Sequence, residues 1–240
     1  MSPRKLLYFG EHSRNMFITP EPLEIIYALA LFLWILFVTH FVCRRLYDAL
    51  MRRGFRHNVT VYLNRKIIHI LTGGLAAVLV PVLFKSFAVI AVLVAVLAIG
   101  NYIPHHLGKI WYWYQVEENM YEVHFIIMWG LIMGLGFLMK NLTMAVLPIL
   151  FMSVGDGVTG LVRNLIYQKR TKSWWGNFAM ALFCVPIGFL SLGYTGAVAG
   201  TVASIVEKIE IGRIDDNITV PLVSFILIWT LPAAGFPATP

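Results

Sequence analysis

Eight stretches of apolar residues follow one another along this chain, at 23–43, 67–84, 87–103, 125–139, 142–162, 178–192, 194–206 and 218–236. A helix needs about 20 apolar residues to cross the hydrocarbon core of a bilayer, and several of these runs approach or reach that length. Inside hydrocarbon no water relieves an unpaired backbone amide, so a spanning segment is either a helix or part of a closed barrel. The runs lack the alternation of a barrel strand. The expected fold is therefore all-α, a polytopic transmembrane helical bundle of about eight spans. Composition agrees, because 59% apolar against 13% charged residues leaves too little polar surface to cover a water-soluble globule. The excess is spread along the chain, which argues against a soluble domain on one anchor. Cys43 and Cys184 both lie in apolar stretches, so neither a disulfide framework nor a cysteine metal site is suggested.

The chain divides into an N-terminal tail over 1–22 and an integral membrane domain over 23–240. Within that domain a first span (23–43) and a basic interfacial linker (44–64) precede a core at 65–222. The first run follows Glu21 and suits a spanning helix rather than a cleavable signal. Placing 44–66 in the cytoplasm puts 104–124, 163–177 and 207–217 there too, with both termini outward. Only Arg4, Lys5, Arg14, Lys85 and Lys140 then stay outside, while every other lysine and arginine, Arg170 and Arg213 among them, falls inside. The formal charge of +7 thus reports topology and attraction for anionic headgroups or phosphates, not for nucleic acid.

Three local expectations follow. Leu46, Leu50 and Met51 give the linker the apolar side of an interfacial helix. The run Trp111-Tyr112-Trp113-Tyr114 suits an aromatic belt at the membrane surface better than a ligand-stacking role. The spacings Gly130-x-x-x-Gly134 and Gly196-x-x-x-Gly200 admit a homodimer contact but suit close packing within the bundle better.

The informative residues are polar ones in costly places. Asp156 lies two turns before the end of its run at Arg163, about 10 Å below the membrane surface at 1.5 Å per residue. A carboxylate there costs at least ~2.5 kcal/mol unless a cation or a wet cavity receives it. An ion pair with Arg163, on the same helical face, is the purely structural account. Gly155, Gly157 and Gly160 favour function, since glycines let backbone approach a bound group closely. The same side supplies Arg65, Lys66 and His69 on one face of span two, and Lys172, Ser173, Gly176 and Asn177 before span six. It also supplies Glu207 after span seven, and Asp215, Asp216 and Asn217 before span eight. Each alone has a dull explanation: Arg65 and Lys66 as membrane-side anchors, His69 as a satisfied core histidine, Asp216-Asn217 as a helix N-cap.

Together they put carboxylates and cations at one end of one bundle. Carboxylates with asparagine suit Mg²⁺, and lysine or arginine suits phosphate oxygens. The combination favours phosphoryl or nucleotidyl transfer to a lipid. A channel or transporter, the reading from a different class, would also use buried carboxylates but would not confine them to one side. No Walker A spacing, no H-R-D with D-F-G, and no D-G-x-x-A-R is present; Gly160-Leu161 stands where the last would need Ala-Arg.

In order, Arg65-Lys66-x-x-His69, Gly155-Asp156-Gly157, Lys172-Ser173-x-x-Gly176, and Glu207 with Asp216-Asn217-x-x-x-Pro221 resemble the polyprenol kinase family. That family includes dolichol, phytol and geranylgeraniol kinases and CTP-dependent diacylglycerol kinases. The resemblance implies transfer of the terminal phosphate of CTP to the hydroxyl of a membrane isoprenoid alcohol, with Mg²⁺. Asp156, Lys172 and His69 would be catalytic. Arg65, Lys66, Gly155, Gly157, Gly160, Arg163, Ser173, Gly176 and Asn177 would hold nucleotide and phosphate. Asp156, Asp216, Asn217 and Glu207 would serve the metal, and His69 would touch phosphate or the acceptor hydroxyl. Spans two, five, six and eight would form the slot for the prenyl chain. The chain departs from the family at Gly157, usually alanine, at Trp175, often acidic, and at Asn177, often serine or threonine. These departures bear on the donor and the alcohol more than on the reaction. A CTP-dependent diacylglycerol kinase and a lipid cytidylyltransferase remain alternatives.

Overall fold

The computed structural model describes residues 19–235 apart from Arg170 and Arg213. Those two arginines, with Arg4, Lys5 and Arg14 of the tail, lie outside the described residues. The described chain is helical in the way hydrocarbon demands, with seven helices long and apolar enough to cross a membrane: α1 Pro22–Arg52, α2 His57–Leu83, α3 Ala88–His106, α4 Tyr121–Leu138, α5 Thr143–Tyr167, α6 Trp174–Val206 and α7 Asp216–Ala233.

One of the seven doubles back on itself. Straight, the 33 residues of α6 would measure about 50 Å, against a hydrocarbon core of about 30 Å. At Leu192 (φ −135°, ψ 23°) and Gly193 (φ 58°, ψ −139°) the helix breaks, and Gly193 takes the left-handed φ that glycine adopts without a steric cost. Gly188 then lies backbone to backbone with Gly196, and Gly200 lies on the backbone of Cys184. Such distant positions cannot touch in a straight helix, so α6 is an antiparallel hairpin. The apolar runs 178–192 and 194–206 are its two arms. The glycine spacing 196/200 works inside the bundle, as does 130/134, where Gly130 receives Val94 and Gly134 receives Phe87.

Helix α5 is the central column: 78% of its apolar window is buried, against 6% for the lipid-facing α3. It packs on α2, α4, α6 and α7. Wider π-helical turns interrupt α2 at His69–Gly74 and α5 at Phe151–Gly155, and these two turns pack on each other. Such turns redirect the side chains beyond them and are frequent at functional sites.

Two local expectations change. The linker is not a separate interfacial helix, because α1 runs on through Arg52 and α2 starts at His57 after a turn at Gly54 (φ 83°). Cys43 and Tyr47 of this extension are buried with the aromatic loop, while Met51 stays exposed. The aromatic run divides, with Tyr112 exposed and its second half turned inward. Trp113 and Tyr114 are buried against Val38, Cys43, Tyr47 and Val61. Trp113 Nε1 donates to the Thr39 carbonyl at 2.8 Å, and the Tyr114 hydroxyl donates to Asn101 Oδ1 at 3.0 Å. Burial pushes the Tyr114 phenol well above its ordinary pKa. Asn64 clamps the loop through the carbonyls of Cys43 (2.7 Å) and Trp113 (2.8 Å).

The linkers expected to share a side do meet at one end. Arg65 faces Glu122 at 3.4 Å, Asn164 donates to the Val59 carbonyl at 3.3 Å, and the Tyr121 hydroxyl donates to Glu210 at 3.0 Å. At the opposite end Lys85 pairs with Glu21 at 2.8 Å, which holds the Lys85 ammonium above its ordinary pKa.

Candidate functional site

The basic end of the bundle carries a buried charge cluster built from α2, α5, both ends of the α6 hairpin and α7. Helix α2 places Lys66 and His69 one turn apart, and α5 brings Asp156 to both. Lys66 Nζ donates to both Asp156 oxygens at 2.6 Å, and His69 Nδ1 lies 3.2 Å from Oδ2. The His69 ring stacks on Phe125 at 4.0 Å, and Lys66 Nζ lies 5.1 Å from the centre of the Tyr62 ring.

Glu207, at the end of α6, is the second focus. Arg163 holds it bidentately at 2.7 and 2.8 Å, and also donates to Asn177 Oδ1 at 2.9 Å and to the Ser173 carbonyl at 3.1 Å. The purely structural account of Asp156 therefore fails in its particular form, because Arg163 is engaged with Glu207. It also sets Arg163 apart from the expected phosphate ligands, since the fully buried guanidinium has its nitrogens taken by protein. Arg163 is a brace for Glu207. Asn177 is a second brace, donating to Glu207 Oε2 at 3.2 Å and to the Ser204 carbonyl.

Lys172 joins the two halves. Its ammonium lies 3.0 Å from Glu207 Oε1, 2.8 Å from the Glu207 carbonyl and 2.9 Å from Asp216 Oδ2. Burial alone would lower its pKa, but the charges of Asp216 and Glu207 reverse this and hold it above the ordinary lysine range. Asp216 is free for this contact because Asp215, not Asp216, caps α7. The Asp215 side chain accepts from the Asn217 amide at 3.0 Å and pairs with His124 at 2.9 Å.

The glycines expected to let backbone approach a ligand are filled by the protein's own side chains. A Cβ on Gly160 would lie 2.5 Å from the stem of Lys66, and one on Gly157 would lie 2.5 Å from Ile70. Gly155 faces Cys184, and Gly176 faces Arg163. These glycines seat the cluster rather than leave space within it. Ser173 remains an orphan: its buried hydroxyl oxygen has no hydrogen-bond partner.

Oxygens of Asp156, Glu207 and Asp216 all lie within 4.8 Å of one another. Three carboxylates this close suit a hard cation, and the ammonium groups of Lys66 and Lys172 stand among them as cations already. Asn217 Oδ1, one residue on from Asp216, is a buried acceptor without a hydrogen-bond partner, while its side-chain amide donates to the Tyr121 carbonyl at 3.3 Å. The residues present therefore fit Mg²⁺.

Two cavities lie near this end of the bundle, and only the second is lined by a residue of the cluster, His69. One, of about 390 Å³, is lined by Arg53, Arg56, Lys169, Phe55 and Tyr167 at the basic end. The other, of about 90 Å³, is narrow and mostly apolar, and His69 and Arg65 line it. It lies between α1, α2, α3 and α4, so of the spans expected to form a slot for the chain, two, five, six and eight, only span two lines it.

Arg65 thus separates from Lys66. Its guanidinium lies 3.8 Å above the Tyr121 ring and faces Glu122, away from Asp156. Glu122 was the residue missed from sequence, although a lone carboxylate at the head of an apolar run is itself a signal. Tyr62 and His124 carried no comparable signal. No family model, no curated protein sequence and no solved structure matches this chain.

Proposed function

We propose that this membrane protein is a lipid-alcohol kinase, moving the terminal phosphate of CTP to the hydroxyl of an isoprenoid alcohol such as a polyprenol, dolichol or geranylgeraniol. The observation that carries this reading is His69, which touches Asp156 of the charge cluster and also lines the apolar cavity. Phosphate chemistry and a hydrocarbon chain would meet at that side chain.

A triphosphate entering from the basic cavity would compete for Lys66 and Lys172, whose ammonium groups suit phosphate oxygens. Their departure would leave Asp156, Asp216 and Glu207 to hold Mg²⁺, with Asn217 beside them. Bound there, the ion would supply neutralisation of phosphate charge. Arg163 and Asn177 would keep Glu207 in place. The acceptor oxygen would form its bond to the γ-phosphorus as the bond to the β-bridging oxygen breaks. CDP would leave with that electron pair, and the hydroxyl proton would pass to His69. The active site would face the cytoplasm, by the distribution of lysine and arginine. Confinement of the cluster of Asp156, Glu207 and Asp216 with its lysines to one end disfavours a transporter, whose site must be reached from both ends.

The test is product identity with purified protein in lipid nanodiscs, Mg²⁺ and a panel of lipid alcohols. Transfer of label from γ-labelled CTP, but not α-labelled CTP, is expected. Transfer of the α-label would make the protein a cytidylyltransferase, preference for diacylglycerol would change the acceptor, and no transfer from CTP or ATP would end the reading.

A further inference from the structure

The narrow cavity has a direction. Its polar lining, including Arg65, His69, Asn101, Tyr114 and Glu122, lies at the basic end, and its deeper lining is apolar down to Val80 and Phe84. From Arg65 to Phe84 along α2 is roughly 28 Å at 1.5 Å per residue. A water needs about 10–15 Å³ on the scale where this cavity measures about 90 Å³, so it holds on the order of six to nine such groups. A space of that volume takes the first part of one hydrocarbon chain and not two chains side by side.

At the polar end is an unsatisfied pair. Both carboxylate oxygens of Glu122 and the Nε of Arg65 are buried without a hydrogen-bond partner, and the 3.4 Å between them makes an ion pair and no more. Glu122 is 7% exposed and Arg65 5%. Buried polar atoms are nearly always hydrogen-bonded, so an orphan acceptor beside an orphan donor calls for a group that can do both. A hydroxyl both donates and accepts; an ester, an ether or a bare chain end does not.

We propose that this cavity holds the hydroxyl end of a single-chain lipid alcohol, with the hydroxyl bound between Arg65 and Glu122 and the rest of the chain leaving between the helices. Arg65 and Glu122 would be positioning residues that select an alcohol head and hold it one helical turn from His69, to which the hydroxyl would move for transfer. The identification of the bound lipid as the phosphate acceptor rests on the kinase reading; the occupancy does not.

The test uses the full chain in nanodiscs without nucleotide and a photoactivatable diazirine derivative of a C20 isoprenoid alcohol. Labelling is expected on lining residues of α1–α4, with the unmodified alcohol competing at least tenfold better than its methyl ether, which cannot donate. Ala76→Phe and Leu93→Trp, which fill the cavity, should abolish labelling in protein that still elutes as a single folded species. Glu122→Met, which removes the acceptor, should keep labelling but lose the preference for alcohol over ether. Labelling on other helices, labelling unchanged in both filled variants, or equal competition by the ether would overturn the assignment. The last result would mark an ordinary acyl-chain site. A protein that labels as expected yet moves no phosphate would keep the cavity assignment and lose the kinase reading. Full lipid-dependent transfer in the filled variants would do the reverse.

Discussion

Asp156→Asn tests how the charge cluster is held together. The substitution leaves Lys66, 2% exposed, with its counter-charge removed. Two contacts of 2.6 Å are affected, each a hydrogen bond between charged groups worth about 1.5–3 kcal/mol, so the sum is about 3–6 kcal/mol. Breaking a buried pair by removing one partner costs about 3–5 kcal/mol, which agrees. About 4 kcal/mol is close to a thousandfold change in the unfolding equilibrium. Lys66→Met should relieve most of it, so the double variant should regain at least ~2 kcal/mol over Asp156→Asn. Denaturant unfolding in mixed micelles, with a common slope across the four proteins, would measure the cycle. Transfer assays on the same samples separate stability from chemistry, because the double variant should be folded and inactive. A loss below about 0.5 kcal/mol in Asp156→Asn would refute a buried, dependent Lys66. Turnover by the double variant would refute the need for the carboxylate.

Other expectations can be checked in parallel. Lys172 has a raised pKa in the folded protein, so its contribution is complete below the unfolded value of 10.5 and is lost as pH climbs through the folded value. The stability gap between wild type and Lys172→Met should thus be flat from about pH 6 to 9 and close only above about 10.5; a gap that closes near neutrality would contradict it. Gly160→Ala puts a methyl group into the Lys66 stem and should cost about 1–3 kcal/mol by unfolding, as overpacking does. Gly196→Leu cannot keep the backbone contact with Gly188, and should open the α6 hairpin to proteolysis near residue 192. Mn²⁺ as a paramagnetic probe should bind the wild type at least tenfold better than Asp216→Asn, measured by electron paramagnetic resonance; equal binding would remove Asp216 from the metal set.

Much of the fold was legible because hydrocarbon imposes a coarse rule on composition. The apolar runs, including the division of 178–206 into two, depend only on transfer free energy and on a break that Gly193 tolerates. The convergence of Lys66, Asp156, Lys172, Glu207 and Asp216 was legible for the same reason, since the number of crossings puts their segments at one end. Which cation meets which carboxylate was not. Arg163 lies on the same face of α5 as Asp156, yet it reaches Glu207 across α6, because the gap left by Gly176 admits its guanidinium. Arg65 and Lys66 are adjacent in sequence but diverge by about 100° around α2, which sends one to Glu122 and the other to Asp156.

The order of apolar and polar segments alone determined that this chain is a membrane-embedded helical bundle with its buried charges at one end. Only the tertiary structure decided the pairing within that cluster, the burial of Trp113 and Tyr114, and the place of the narrow cavity between the first four helices. Partition between water and hydrocarbon is a property each segment carries by itself. Pairing and cavities depend on distances of a few ångströms between segments far apart in sequence, and those are set by how helices rotate and interlock once all are present.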